Sequence, residues 1–437
     1  MIKWTLPIAI LLLVAGCTSH PAGEKEERAR AMQMEAIDRP VLPENPTVED
    51  LVNYALLSNA ELDRQYWDWR SAIEQIPQDG TQPTNVAIAG GVPIMEGSTS
   101  FKKSSVTLSN DPMADILWPS KPTLAAKQAL EMAKAAGVRF VKTRYEIRAK
   151  VLAAYFDYAS TAELIRLEQR NGQLLQTMVT STEARNRAGS ASQIDVLKSS
   201  NELDMSRNDL ASMQAQLPAQ LAALNALLNR APDAAVPLPA ELPAVHRIEK
   251  SDADLLALAA KQNPELIALA HEVETRNQGI EIAKLQYLPD FSASISTDMA
   301  GMAQNLMGMI TVPFLKYEAI NAAVAQARAN LRAAQAMRRQ EVHNLNAEIL
   351  MDITTVRDAD RQLELFDQTI LPRLQRMVEV SRTAYENGQS SLLDFLDSQR
   401  SLIAIQRLVV NLRTGREKSL ANLEAATASV LTTPVNP

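Results

Sequence analysis

Apolar residues recur every seven positions along the second half of the chain, at Val342, Ile349, Val356, Leu363, Ile370, Met377 and Ala384. A seven-residue period held over so many turns marks a left-handed supercoiled seam. Helices of compact domains average about a dozen residues, so a small α-domain is a poor description of this stretch. The spacing predicts a helix over 318–386, kinked by Pro372 and stopped by Gly388. In the first half no proline interrupts 123–217, and the predicted helix runs over 123–188 to a stop at Gly189. At about 1.5 Å per residue, such a helix is roughly 100 Å long. Further helices are expected over 192–230 and 390–430.

Between these helical runs the period changes. Phe291, Ala293 and Ile295 alternate with serines, a period of two that gives a strand with one apolar face. With 309–314 it forms a predicted strand pair over 291–314. The first half carries a counterpart over 85–109, drawn from 85–94 and 104–109.

The two halves are copies of one unit. Ala188-Gly-Ser-Ala-Ser-Gln-Ile-Asp-Val-Leu197 recurs as Asn387-Gly-Gln-Ser-Ser-Leu-Leu-Asp-Phe-Leu396. Asn59-Ala-Glu-Leu62 and Asn263-Pro-Glu-Leu266 open the halves; Leu224-Asn-Ala-Leu227 and Leu420-Ala-Asn-Leu423 close them. Repeats at matched offsets fix the architecture before any local reading does. We divide the chain into a leader (1–16), a tether (17–46), a first repeat (47–235), a linker (236–250), a second repeat (251–430) and a tail (431–437). The fold class is mainly α with a small β part.

At the N-terminus a short apolar run follows Lys3 and ends in Val14-Ala-Gly-Cys17, the order of a bacterial lipoprotein leader. Cys17 is the only cysteine, so the chain has no disulfide. A lipid on Cys17 would add ~0.8 kcal/mol of membrane affinity per buried CH₂. Prolines 40, 43 and 46 suit a tether between lipid and body. The formal charge of −7, or −8 once Lys3 is removed with the leader, gives no basic face for nucleic acid. Aromatic residues at 4% are too few for a large compact core. No nucleotide loop, metalloprotease motif or serine elbow is present, so no enzyme is expected.

The duplicated hairpins, strand pairs and glycine turns resemble the TolC-like outer-membrane channels, the outer-membrane factors of bacterial efflux. The resemblance covers 59–430. It implies a homotrimer whose long helices form an α-barrel tunnel across the periplasm and whose four strands per copy contribute to a twelve-stranded β-barrel. It also implies docking of a periplasmic adaptor at the hairpin turns, here Gly189, Ser190, Asp195, Gly388 and Gln389, and an inner-membrane pump behind that adaptor. Asp394 and Asp397 match the aspartates lining the closed periplasmic mouth; the first turn has Asp195 but Lys198 where Asp397 would stand. The function implied is passive exit of small molecules from a lipid-anchored protein of the Gram-negative outer membrane. No cofactor is implied beyond the lipid on Cys17.

Two features depart from that pattern. The strands barely reach the ~9–11 residues a spanning strand needs, so a shortened barrel is expected. Met299, Met302, Met307 and Met309 cluster in the second strand pair. Thioethers bind Cu(I), but methionine is more often an apolar filler at such a tip, and we expect no metal site. The weak strands leave one alternative, a lipid-anchored periplasmic coiled-coil scaffold without an open pore.

Overall fold

The computed structural model describes residues 18–35, 41–83, 85–92, 94–95, 98–99, 105–110, 115–239, 242, 248, 250–298 and 304–431. Cys17, Met299, Met302 and the residues of the leader lie outside them. In chain order the helices are α1 (Glu24–Gln33), α2 (Val48–Ser58), α3 (Ala60–Gly80), α4 (Ser120–Arg187), α5 (Gln193–Leu227), α6 (Asp252–Gln262), α7 (Pro264–Leu285), α8 (Tyr317–Leu365), α9 (Leu371–Glu386) and α10 (Leu392–Thr427). The strands are β1 (Val86–Gly91), β2 (Ile94–Met95), β3 (Ser98–Thr99) and β4 (Ser105–Asn110) before α4, then β5 (Asp290–Asp298) and β6 (Gln304–Thr311) after α7. The chain divides into two compact units. One contains residues 1–35, 64–140 and 264–342; the other contains 36–63, 141–263 and 343–437.

The first unit holds a four-stranded antiparallel sheet in the order β1-β4-β5-β6, so the strand pairs of the two repeats lie side by side. Its register sorts the residues by face. Ile88 pairs with Leu108, Leu108 with Ile295 and Ile295 with Leu306, an apolar row across all four strands. One residue along, Ala89, Thr107, Ser296 and Asn305 form a small polar row on the opposite face. Ile88 is 76% exposed and Ile310 61% exposed, so the described residues leave this apolar surface uncovered at both positions. At the foot of the sheet Lys121 Nζ donates to both Asp290 oxygens at 2.7 Å, and Trp118 stacks on Phe291. Tyr287, Phe314 and Tyr317 form a second aromatic group there. The second strand of that pair, expected over 309–314, begins earlier, at Gln304, and ends at Thr311.

The segment read as a tether is not free. Its residues 24–33 form α1, which docks on the first unit. Trp69 is fully buried on α3, its Nε1 donates to Glu27 at 2.9 Å, and the Arg30 guanidinium lies 5.6 Å from its ring centroid. Arg28 pairs with Glu74, while the Ser19 amide donates to the Gly80 carbonyl at 2.9 Å. The sequence did not show this docking because α1 buries Glu24, Glu27 and Ala31, and is held by charge and by one tryptophan.

Other boundaries moved for identifiable reasons. The helix expected to start at residue 123 begins at Ser120, because Pro122 falls in the first turn, where its missing N–H is not needed. Helices α2 and α3 are divided at Asn59, whose Oδ1 accepts from the Glu61 and Leu62 amides and starts α3 afresh. Asn59 and Asn263 then close their repeats in the same way. The Asn59 side-chain amide donates to the Leu227 carbonyl at 2.8 Å, and that of Asn263 to Ala426 at 2.9 Å. The first residues of the linker are also held: Tyr158 and Arg166 donate to the carbonyls of Val236 and Pro239.

The largest correction concerns the seven-residue seam in the second unit. Ile349, Val356 and Leu363 are buried as expected. A π-helical segment, Phe366–Ile370, then precedes Pro372. A π-turn takes one residue more than an α-turn. Beyond it the buried positions are Val378 and Tyr385, while Met377 is 41% exposed. The stripe has slipped by one residue.

Replacing Gly137 by alanine would put the new Cβ 2.6 Å from the Trp69 ring and 2.7 Å from Glu27 Oε1. Overpacking of this kind costs about 1–3 kcal/mol. We expect a lower thermal midpoint for the full chain and faster proteolysis within residues 18–35. An unchanged cleavage rate would mean that Trp69 does not hold α1.

Candidate functional site

The second unit contains both hairpin turns, and they are built alike. After α4, Gly189 takes φ +75°; after α9, Gly388 takes φ +71°. This left-handed conformation disfavours any side chain by roughly 1–2 kcal/mol. Nothing lies within 4 Å of a Cβ built on Gly189, so the backbone angle alone asks for glycine there. At each turn two amides close the preceding helix in a Schellman motif: Gly189 to Asn186 and Ser190 to Arg185, then Gly388 to Tyr385 and Gln389 to Ala384. The next helix opens with a capping box. Asp195 Oδ2 accepts from the Ser192 amide and hydroxyl at 3.1 and 2.8 Å; Asp394 Oδ2 accepts from those of Ser391 at 3.0 and 2.8 Å.

The four helices that meet behind the turns share one core. Leu175, Met178 and Val179 of α4, Leu203 of α5, Val378 and Tyr385 of α9 and Leu392, Phe395 and Leu396 of α10 form a single buried cluster. Arg185 fastens its end. From the last turn of α4 the guanidinium donates to the Tyr385 carbonyl and, at 3.3 Å, to that of Glu386, while lying 4.6 Å from the Tyr385 ring centroid. A cation on the exposed C-terminal carbonyls of α9 is favoured by the helix dipole. Tyr385 is 4% exposed and its hydroxyl lies 3.3 Å from Thr182 Oγ1. One arginine thus holds the end of the second hairpin on the first.

Further from the turns, α5 and α10 are laced by charge. Arg400 Nε donates to Glu202 at 3.0 Å, and Arg407 donates to Asp209 at 3.0 Å and to Glu168 of α4 at 2.5 Å. The acids and the arginines are each seven residues apart, so the two helices run parallel and in register. Glu168 is 1% exposed. Burial alone would raise its pKa, but hydrogen bonds from Ser206, Arg407 and Asn171 outweigh it, and the carboxyl lies below its ordinary value.

The two aspartates singled out in the sequence are unlike. Asp394 spends one oxygen on the helix cap; Asp397 is 63% exposed, with only Arg400 near it at 3.6 Å. Met307 and Met309 of β6 are 65% and 56% exposed. Among the described residues no group of three His, Cys, Asp or Glu side chains stands in metal-holding geometry, and no helix is long and apolar enough to cross a membrane.

Residues 255–429 match the family described as outer membrane efflux protein. The cation efflux system protein CusC of Escherichia coli O6:H1 is 24% identical over 291 residues, 63% of this chain and 62% of its own length. The match therefore spans less than two thirds of that relative. The pyoverdine export outer membrane protein OpmQ of Pseudomonas aeruginosa is 23% identical over 69% of this chain and 65% of its own. Among solved structures, a membrane protein from Pseudomonas aeruginosa superposes with a TM-score of 0.77 at 18% identity, covering 90% of this chain and 97% of that one. The second repeat is thus the part of the chain that the outer membrane efflux protein family matches. The fold is that of the solved structures it superposes on, mostly helical with a small sheet.

Within that fold, sequence reading found both turns but not what joins them. Arg185 and Tyr385 carry no motif. The spacing of Glu202 and Asp209 against Arg400 and Arg407 was legible, since both pairs repeat at seven.

Another buried acid of the second unit is Asp352. Burial raises the Asp352 carboxyl from 3.8 to about 6, with Glu348 pushing the same way against hydrogen bonds from Ser419 and Asn422. A folded pKa above the unfolded value means that the native state holds the extra proton. Stability is therefore full below the unfolded pKa and falls as pH rises through the folded one, by up to about 3 kcal/mol for a shift of this size. Denaturant unfolding at about pH 4 and pH 7 should show that loss in the wild type and a flat profile in Asp352→Asn.

Proposed function

We propose that the chain is the outer-membrane duct of a tripartite efflux system. It acts as a passive trimeric exit for small molecules, opened at its hairpin turns by a periplasmic adaptor and driven by an inner-membrane pump. The observation that carries this is the sheet register. An apolar row on one face and a Ser/Thr/Asn row on the other is what a barrel with lipid outside and water inside requires. A scaffold without a pore would need no such division. β1 and β6 are the outer strands of the sheet, and in this reading other copies of the chain pair with them. Cys17 would carry the lipid that adds to the barrel's hold on the membrane.

The gating step follows from the turns. The helix ends are rigid, since each is capped on both sides, so the hairpins move as bodies and not by fraying. Besides the shared apolar core, the second hairpin is tied to the first by the Arg185 clamp and the Arg400 and Arg407 pairs. Asp397, exposed and only loosely paired, is the carboxylate that three copies would present round a narrow mouth, where a ring of negative charge attracts cations and repels anions. Asp394 instead stabilises the turn that carries it. The cargo is not fixed by these residues; relatives are named for cations and for pyoverdine alike.

Conductance of the trimer in planar bilayers tests both assignments. Hydrogen bonds to a charged group contribute about 1.5–3 kcal/mol, so Arg185→Ala should raise the adaptor-free conductance by roughly tenfold or more. Asp397→Asn should weaken cation selectivity without altering stability. Asp394→Ala should cost about 0.5–2 kcal/mol in unfolding through the lost cap. A chain that forms no ion-conducting trimer under any of these conditions would sink the duct reading.

A further inference from the structure

Helices α4, α5 and α10 enclose a cavity of about 160 Å³ behind the hairpin turns. Its polar wall is made by Glu168, Glu202, Asp209, Gln399, Arg400 and Arg407. Three carboxylates against two guanidiniums leave that wall with one net negative charge. Two of its buried atoms have no hydrogen-bond partner among the described residues: the acceptor Gln399 Oε1 and the donor Arg407 Nε. Gln399 is 6% exposed and its amide nitrogen is already committed to Asn171 at 2.9 Å, so the free oxygen is not an alternative placement of a satisfied group. An unpaired buried acceptor costs about 1–3 kcal/mol and calls for an explanation.

We propose that this cavity is a binding site for a small organic cation, a short ammonium bearing a neighbouring hydroxyl. The ammonium N–H groups would donate to Gln399 Oε1 and neutralise the excess negative charge, while the hydroxyl oxygen accepts from Arg407 Nε. The carbon chain would rest on Leu175, Met205, Leu396 and Ile403, which line the rest of the cavity. Water could meet both orphan atoms but would leave the charge uncompensated. A metal ion is disfavoured because the acids do not stand in metal-holding geometry. A phosphodiester on the same amine would bring its charge against Glu202 and Asp209, so the free amine fits and a lipid headgroup does not.

Such a ligand touches α5 of the first hairpin and α10 of the second. On the duct reading, occupancy holds the hairpins together and opposes opening. The binding itself does not depend on that reading.

Isothermal titration of the full-length lipidated protein in detergent with ethanolamine, at a pH where it is protonated, tests the site. Saturable binding at one equivalent per chain is expected, with ethanol failing to bind. Gln399→Leu should weaken binding about tenfold by removing the acceptor, and Gln399→Glu should tighten it by adding a charge. A purely structural role for Gln399 predicts no such opposite changes. Absence of saturable binding to the wild type, equal binding of ethanol, or unchanged affinity in both variants would each overturn the proposal. A protein that binds the amine yet never conducts would defeat the duct reading and leave this site standing.

Discussion

Burial of one apolar stripe along the second hairpin organises the second unit. Ile349, Val356 and Leu363 keep the seven-residue phase of a supercoil, and Val378 and Tyr385 keep it again one residue later. A straight α-helix cannot make that step. The π-segment Phe366–Ile370 absorbs the odd residue, and Pro372, which cannot donate to the preceding turn, follows directly. Without the inserted residue the seam would continue through Met377 and Ala384. Tyr385 would then leave the core, and the ring that Arg185 covers would face water.

The hairpin ends add polar contacts to that packing. Phe395 and Leu392 are essentially buried, and truncation of a core phenylalanine typically costs about 3–5 kcal/mol. Against this, the exposed Arg400–Glu202 pair contributes about 1 kcal/mol or less. The apolar cluster therefore gives the hairpins their strength, and the charges give them register: acids and bases at matched heptad positions satisfy one alignment of α5 with α10 and no other. A seam strong in its core and specific at its rim can part along one surface and return to the same place.

The duplication, both glycine turns, the long helices and the strand pairs were legible because each rests on local chemistry: a left-handed glycine, a capping serine three residues before its aspartate, a period of two or seven. What escaped was tertiary. The docking of α1 rests on Glu27 meeting Trp69, which no local pattern announces. The slip of the seam is invisible in a pattern where Met377 and Ala384 serve as well as Val378 and Tyr385. Arg185 is one of many arginines until Tyr385 is seen beneath it. Asp394 reads the same as Asp195 in sequence, and the capping hydrogen bonds show that the likeness is structural, whereas the difference between Asp397 and Lys198 is what sets the two turns apart.

The sheet has a consequence for the order of events in the cell. Among the described residues its two outermost strands, β1 and β6, each pair on one side alone, and its apolar face is open. On the duct reading, a newly exported copy therefore cannot finish folding alone. Until other copies arrive it carries two adhesive edges and a greasy surface through water, the condition in which strands aggregate. Insertion and assembly become a single concentration-dependent event, and the rate at which chains reach the membrane sets the yield of finished barrels as much as the stability of any one chain does.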